Sequence, residues 1–196
     1  MSYAHSFRYA PTAATFRRMW PRMVADAARI VGYLESFNVA LRSRTGYSAP
    51  EFDRSGDGVI AFNGSARRGE HQQPFVLRPM VPDRRRDPLV ASRFSTDGFV
   101  TGHCDTDRAP YDVAVAAVLL RCHQLAPTVF TIASVGDWDR EWLHGAVVWS
   151  TDLVPPPGRR IALAARVVIA DLFDVVPRRC PFTTDGPTEL GDDQHE

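Results

Sequence analysis

The predicted fold is decided by GFVTGHCDTDRAPYDVAVAAVLLRCHQLAPTVFTIASVGDWDREWLHGAVVWSTDL, residues 98–153, which contains two consecutive strand–loop–helix units. The first unit begins with the strand-like run Phe99–Cys104, and a polar segment that extends to Pro110 interrupts it. Tyr111–Leu125 carries apolar side chains at the spacing of a buried helix, and Pro127 cannot continue that helix. The sequence therefore predicts a strand, a loop and a core helix in this order.

The second unit follows directly along the chain. Thr128–Ser134 is apolar and rich in β-branched residues, which favours a buried strand. Trp138–Leu153 is predicted to be a helix, and Asp137 is placed to cap its N-terminus. We expect the two strands to form the parallel part of a mixed sheet, with both following loops at the same edge.

The N-terminal quarter of the chain predicts a long amphipathic helix, preceded by an arm of residues 1–15. Pro21 suits the first turn of this helix, and Gly46 suits its end. The predicted apolar face consists of Met23, Ala27, Ile30, Val31, Leu34 and Leu41. A face of this kind indicates a helix that packs on the core.

Two further segments complete the predicted elements. Val59–Phe62, followed by the turn pair Asn63-Gly64, is expected to form an antiparallel hairpin with Pro74–Arg78. Ala165–Leu172 is compatible with a strand or a helix, and we favour a strand because it contains consecutive β-branched residues.

These elements predict an α/β or α+β fold. It would combine a mixed sheet, an antiparallel hairpin, two tandem strand–helix units and the long N-terminal amphipathic helix. Residues 1–182 are expected to form a single globular domain. Residues 183–196 are acidic and poor in apolar side chains, which indicates a flexible tail.

Composition restricts the classes of function. The chain has 196 residues, zero formal net charge and 23 basic residues, all of them arginine. The absence of lysine, together with the scarcity of isoleucine and asparagine, indicates a GC-rich bacterial genome. The absence of lysine also excludes a lysine nucleophile, a Schiff base and a P-loop lysine. The N-terminus lacks a signal-peptide pattern, and no apolar run is long enough to span a bilayer. We therefore expect a soluble, cytoplasmic protein without a membrane partner.

Acidic residues follow both strands of the tandem units. Asp105 and Asp107 come after the first strand, and Asp137 and Asp139 come after the second. Carboxylates that converge at one sheet edge suit Mg²⁺ or Mn²⁺ and phosphoester chemistry, because these cations prefer oxygen ligands. The alternative is that these side chains cap helices, with Asp107 and Asp137 as the caps.

The chain has two places where a histidine and a cysteine are adjacent in sequence, His103-Cys104 and Cys122-His123. The predicted helix carries the second pair roughly 18 Å from the first at ~1.5 Å per residue, so one zinc ion cannot bind both pairs. A lone nucleophilic Cys104 before a helix N-terminus is one possibility. A buried structural cysteine is the favoured interpretation.

An arginine cluster is the third candidate feature. Arg84, Arg85 and Arg86 lie in a charged loop of a locally basic middle third. Such a loop can contact nucleic-acid phosphates, but zero net charge favours an ordinary solvated surface instead.

Three short motifs resemble the pattern of an uncharacterised family of bacterial proteins. They are FNG at residues 62–64, the run with Cys104, Thr106, PYD at 110–112 and Val115, and the segment with Ser134, Gly136, Asp137 and Trp138. The resemblance implies no activity. In that pattern a basic residue is usual at the position of Asp105, which weakens Asp105 as a metal ligand, whereas Asp112 is a recurrent feature.

The combined features favour a soluble non-catalytic binding or accessory protein, with a protein partner or a second copy of the chain as possible partners. No cofactor is expected in that case. The alternative is a small metal-dependent phosphoesterase or nuclease that uses the aspartates with Mg²⁺ or Mn²⁺. The third hypothesis is a nucleic-acid-binding module, in which the arginine cluster makes the contacts.

Overall fold

The computed structural model describes residues 3–80, 97–144 and 163–183. Its strands are β1 (Ala4–Tyr9), β2 (Leu41–Arg42), β3 (Glu51–Phe52), β4 (Ile60–Gly64), β5 (Phe75–Leu77), β6 (Val100–Asp105) and β7 (Phe130–Ser134). Its helices are α1 (Ala14–Glu35), α2 (Asp112–Leu125), α3 (Glu141–His144) and α4 (Ala165–Phe173). The predicted combination of helices with antiparallel strands, including a long N-terminal helix, is confirmed.

Strand β1 is the centre of a sheet with the order β6–β1–β7, and both of its neighbours are antiparallel to it. The prediction of an N-terminal arm was therefore wrong. Tyr3, His5, Phe7 and Tyr9 alternate along the strand and are all buried, whereas Arg8 is exposed. This alternation is the signature of a strand with one face against the core.

Strands β6 and β7 run in the same direction because each is antiparallel to β1. Both following loops therefore emerge at one edge of the sheet, as predicted. The predicted direct parallel pairing is wrong, because β1 lies between them and separates the two strands by about 10 Å.

The predicted hairpin is confirmed in a second sheet, where β4 pairs antiparallel with β5 through Ile60–Leu77 and Phe62–Phe75. Strands β2 and β3 also pair with β4. Asn63 and Gly64 do not form a turn but continue β4. The Asn63 Oδ1 accepts hydrogen bonds from the backbone N–H groups of Gly64 and Gln72, at 2.8 and 3.1 Å. The side chain thus serves as the acceptor that a backbone carbonyl of a paired strand would otherwise provide.

Helix α1 begins and ends earlier than predicted, and Pro21 lies inside it instead of at its start. The helix ends at Glu35 because Asn38 turns the chain with a φ of 66°, a left-handed conformation that asparagine tolerates. Gly46 therefore does not end the helix, and Leu41 belongs to β2.

Helix α2 lies at the centre of the buried core and packs against α1, α4 and β7. Nearly all of its faces are apolar and buried, as expected for a helix that is enclosed by other elements.

Residues 165–173 form a helix, α4, so the prediction of a strand was wrong. Ala165, Val168 and Ile169 are buried, whereas Val167 is 37% exposed. This three- and four-residue spacing places one face against α2, and tertiary packing therefore overrides the strand preference of β-branched residues.

Of the predicted helix over residues 138–153, residues 141–144 are helical and residues 145–153 lie outside the described residues. Arg84, Arg85 and Arg86 also lie outside the described residues. Among the helices that are described, none combines the length and the apolar character that a bilayer crossing requires.

Candidate functional site at the loop edge

Two loops and the start of β1 meet at one edge of the central sheet, which we call the loop edge. It consists of residues 105–111 between β6 and α2, residues 135–140 between β7 and α3, and Tyr3. The backbone oxygen of Tyr3 accepts hydrogen bonds from the N–H groups of Thr106 and Asp107, at 3.0 and 3.1 Å. The Ala4 oxygen accepts the N–H of Val135 at 3.1 Å. The N-terminal strand thus holds both loops.

The aspartates of the β6–α2 loop form a tight turn. The Asp105 Oδ1 accepts the backbone N–H of Asp107 at 3.1 Å. Asp107 is exposed and does not cap α2, which begins after Tyr111 without a side-chain cap bond. The expectation that Asp107 caps this helix was therefore wrong.

The aspartates of the β7–α3 loop have other partners. The Asp137 Oδ1 accepts the backbone N–H groups of Asp139 and Arg140, at 2.9 and 2.8 Å, so its oxygen acts in the capping manner that the alternative predicted. Asp139 is exposed and forms an ion pair with Arg166 at 3.2 Å.

The Arg108 side chain links the β6–α2 loop to the first residue of α3. The Arg108 guanidinium lies 2.9 Å from the Glu141 Oε1 and 4.3 Å above the centre of the Tyr3 ring. In residues 3–80, 97–144 and 163–183, no three histidine, cysteine or acidic side chains are grouped so that they could hold a metal ion. The aspartate pairs are instead kept apart by the width of β1.

A buried chain of polar side chains lies directly beneath the loop edge. The His5 Nε2 is 2.8 Å from the Asp112 Oδ1, and the His5 Nδ1 is 2.9 Å from the Ser134 Oγ. His5 is 0% exposed. We call this arrangement, together with Thr106, the polar chain.

The polar chain accepts a further hydrogen bond at each of its two ends. The Thr106 hydroxyl donates to the Asp112 Oδ1 at 2.5 Å, and the Gly136 N–H donates to the Ser134 Oγ at 2.9 Å. The Asp112 carboxylate accepts hydrogen bonds from the His5 Nε2 and the Thr106 hydroxyl, and the Ser134 hydroxyl is the hydrogen-bond partner of the His5 Nδ1.

The polar chain has the residue types of a nucleophilic triad, with the two ring nitrogens exchanged relative to the serine-protease arrangement. His5 cannot serve as a general base for a bound substrate, however, because it has no exposed surface. The rings of Tyr3 and Trp142 pack edge-on against it at centroid distances of 5.5 and 5.6 Å. The polar chain therefore positions β1, β7 and α2 relative to one another.

Cys104 is buried and hydrogen-bonded, which agrees with the favoured interpretation of a structural cysteine and argues against the other possibility, a nucleophile. Its thiol donates to the backbone oxygen of Gln73 at 3.3 Å, and the Tyr111 hydroxyl donates to the same oxygen at 2.7 Å. Burial, followed by the negative charge of Asp112, raises the pKa of the Cys104 thiol to about 12. The reactive thiolate is therefore scarce at neutral pH, and the structural interpretation is confirmed.

Sequence reasoning missed the polar chain because His5 lies in the segment that was predicted as an arm. Thr106, Asp112 and Ser134 belong to the motifs that carried the family resemblance, and His5 joins Ser134 to Asp112 and Thr106 here. No family model, curated protein or solved structure matches this chain.

Proposed function

We propose that this protein is a non-catalytic binding or accessory protein and that a positively charged protein segment binds its loop edge. The observation that carries the proposal is the backbone of Asp107 and Arg108. Both are exposed non-glycine residues with left-handed φ angles, 45° and 58°. Such a conformation costs about 1–2 kcal/mol per residue and is concentrated at functional sites.

Specific contacts hold this strained turn. The Asp107 N–H donates to the Asp105 Oδ1 and to the Tyr3 oxygen, both at 3.1 Å. The Arg108 side chain is fixed by Glu141 and by the ring of Tyr3. A loop that is ordered before binding loses little conformational entropy when a partner arrives, which favours recognition.

The charge of the loop edge indicates the class of partner. Arg108 is paired with Glu141, and Arg166 is paired with Asp139. The carboxylates of the loop edge outnumber its guanidinium groups: Asp105, Asp107, Asp137 and Asp139 against Arg108 and Arg140. The ion-pair partners Glu141 and Arg166 add one charge of each sign. A surface with this excess attracts a basic segment through complementary charge.

The metal-dependent phosphoesterase is the second candidate function. The shared edge of the two acidic loops favours it, since four aspartates lie at the ends of two strands that flank β1 and run in the same direction. It requires the loops to approach each other across β1 when the cation binds.

The first experiment combines enrichment of partners with an activity assay. The tagged full chain is compared with Asp107→Asn/Asp137→Asn, which keeps a side-chain oxygen at both positions, including the capping oxygen at position 137, and removes two charges. The control is Asp53→Asn/Asp57→Asn, because these exposed carboxylates also accept hydrogen bonds within a turn.

We expect a partner that binds in purified form to the parent and to the control but weakly to Asp107→Asn/Asp137→Asn. Phosphoester or carboxylic ester hydrolysis that needs Mg²⁺ or Mn²⁺ and is lost in Asp107→Asn/Asp137→Asn would refute the proposal and support the second candidate.

A further inference from the structure

A second surface feature lies away from the loop edge, beside the C-terminal end of α2. It is an open cleft of about 560 Å³ between this helix end and the segment that follows α4. Its lining includes Arg121, His123, Val175, Val176, Arg178 and Arg179. The volume lies in the range of about 300–1,000 Å³ that is usual for small-molecule sites.

We propose that this cleft binds a small anionic ligand with an apolar body. The charge of the lining is the first support. Arg178 and Arg179 are exposed, and no aspartate or glutamate is among the described residues that line the cleft. Exposed arginines are frequent partners of a bound carboxylate, sulfonate or phosphate.

Arg121, which lines the cleft, also belongs to a group of ion pairs with α1. Asp26 is buried and shared by two guanidinium groups, with Arg22 at 2.9 Å and Arg121 at 2.8 Å. One carboxylate cannot neutralise two arginines, so this group of three side chains keeps one positive charge beside the cleft.

Apolar side chains in the same cleft explain why the ligand needs an apolar body. Val175 and Val176 are 43% and 64% exposed, so they offer adjoining apolar surface to a ligand. Pro127, Pro177 and Pro181 also line the cleft and restrict the backbone of its walls.

Contacts to the rest of the fold hold the cleft open. The Arg121 guanidinium stacks 4.1 Å above the Phe173 ring, at the end of α4. The Arg166 Nε donates to the backbone oxygen of Pro177 at 3.1 Å and so anchors the following segment. The cleft is therefore largely formed before a ligand binds, as small-molecule sites usually are.

The test uses two probes of different chemistry with the full chain. Anilinonaphthalene sulfonate carries an anionic group on an apolar ring system, and inorganic pyrophosphate carries the charge alone. Isothermal titration should show saturable binding of one sulfonate probe per chain and much weaker binding of pyrophosphate.

A tandem pair of arginines elsewhere provides the matched control. Arg178→Ala/Arg179→Ala should weaken binding of the sulfonate probe roughly five- to thirtyfold, from about 0.5–1 kcal/mol for each exposed charge. Arg17→Ala/Arg18→Ala removes two adjacent exposed arginines of α1 and should leave the affinity unchanged. Val175→Ser/Val176→Ser should weaken the binding of the sulfonate probe and leave the binding of pyrophosphate unchanged.

Thermal melting of each variant establishes that it is folded before titration. Absence of saturable binding of the sulfonate probe would overturn the proposal. So would equal affinities of the two arginine variants, or pyrophosphate binding as tight as that of the sulfonate probe. These results are independent of the loop edge, because Asp107→Asn/Asp137→Asn leaves the cleft intact.

Discussion

The His5 Nε2 lies 2.8 Å from the Asp112 Oδ1, and this hydrogen bond joins the first strand of the chain to the start of its central helix. The two residues are 107 positions apart in the sequence. Both are buried, so the bond is shielded from water and from salt. The bond therefore holds β1 and the start of α2 together beneath the loop edge.

Removing the carboxylate from this bond should destabilise the fold. Asp112→Ala leaves His5 and the Thr106 hydroxyl without their acceptor, and we expect a loss of about 3 kcal/mol in the free energy of unfolding. Urea denaturation measures it. Asp171→Ala is the control, because Asp171 is exposed where it accepts the Tyr33 hydroxyl, and its loss should be below about 1 kcal/mol. Equal effects would contradict a structural role for the polar chain.

Gly136 should tolerate no side chain, because the space beside it is occupied by Tyr3. A Cβ atom at this position would lie 2.2 Å from the Tyr3 hydroxyl oxygen and 3.0 Å from the Trp142 Nε1. Gly136→Ala should therefore lower the melting temperature by several degrees. Gly32→Ala has no neighbour within 4 Å in α1 and should raise it slightly.

A double variant tests the cause of the Gly136 effect. Tyr3→Phe removes the oxygen that the new methyl group would meet, so Gly136→Ala should cost less stability in the Tyr3→Phe background than in the parent. Additive losses in the two single variants would show that the clash does not involve this hydroxyl.

Thiol labelling should separate the three cysteines. Cys180 is exposed, whereas Cys104 and Cys122 are buried and burial raises the pKa of both thiols. We expect an aromatic disulfide reagent at pH 8 to modify Cys180 rapidly and the other two only after unfolding. Cys180→Ser should abolish the fast phase, and rapid labelling of Cys104 would contradict its enclosed position.

The stability of the fold should fall at alkaline pH, because burial raises the pKa of the Cys104 thiol. The folded pKa of Cys104 is about 12, above the unfolded value of about 8.5. Its thiol therefore remains protonated in the folded chain while the unfolded chain ionises. Its contribution to the free energy of unfolding is fully present below the unfolded pKa and is lost progressively as pH rises towards the folded pKa.

Divalent metal ions separate the two candidate functions. A bound cation raises the melting temperature as its concentration increases, because only the folded chain holds it. We expect no shift with millimolar Mg²⁺ or Mn²⁺. A concentration-dependent rise in the parent that disappears in Asp107→Asn/Asp137→Asn would favour the phosphoesterase.

The sequence was sufficient for the elements whose pattern is local. The helix α2, the strand β7 and the hairpin of β4 and β5 all follow from apolar spacing and bounding residues. The strand β1 was also readable, because Tyr3, Phe7 and Tyr9 alternate with small or polar residues. Because this strand is short and lies near the first residue of the sequence, we predicted it as part of the arm.

The remaining features depend on contacts that no local pattern contains. Val168 and Ile169 favour a strand by their branching, but packing on α2 makes α4 a helix. The insertion of β1 between β6 and β7, which separates the aspartate pairs, is a property of the sheet order. The polar chain could not be predicted for the same reason, since His5, Asp112 and Ser134 meet only through the folded sheet.

Titration of the purified partner into the full chain tests the central claim most directly. The account predicts that binding persists in a metal chelator and weakens with increasing salt. It also predicts that affinity falls in Asp107→Asn/Asp137→Asn and is unchanged in Asp53→Asn/Asp57→Asn. Binding that requires a divalent cation, or that is equally strong in both double variants, would contradict it.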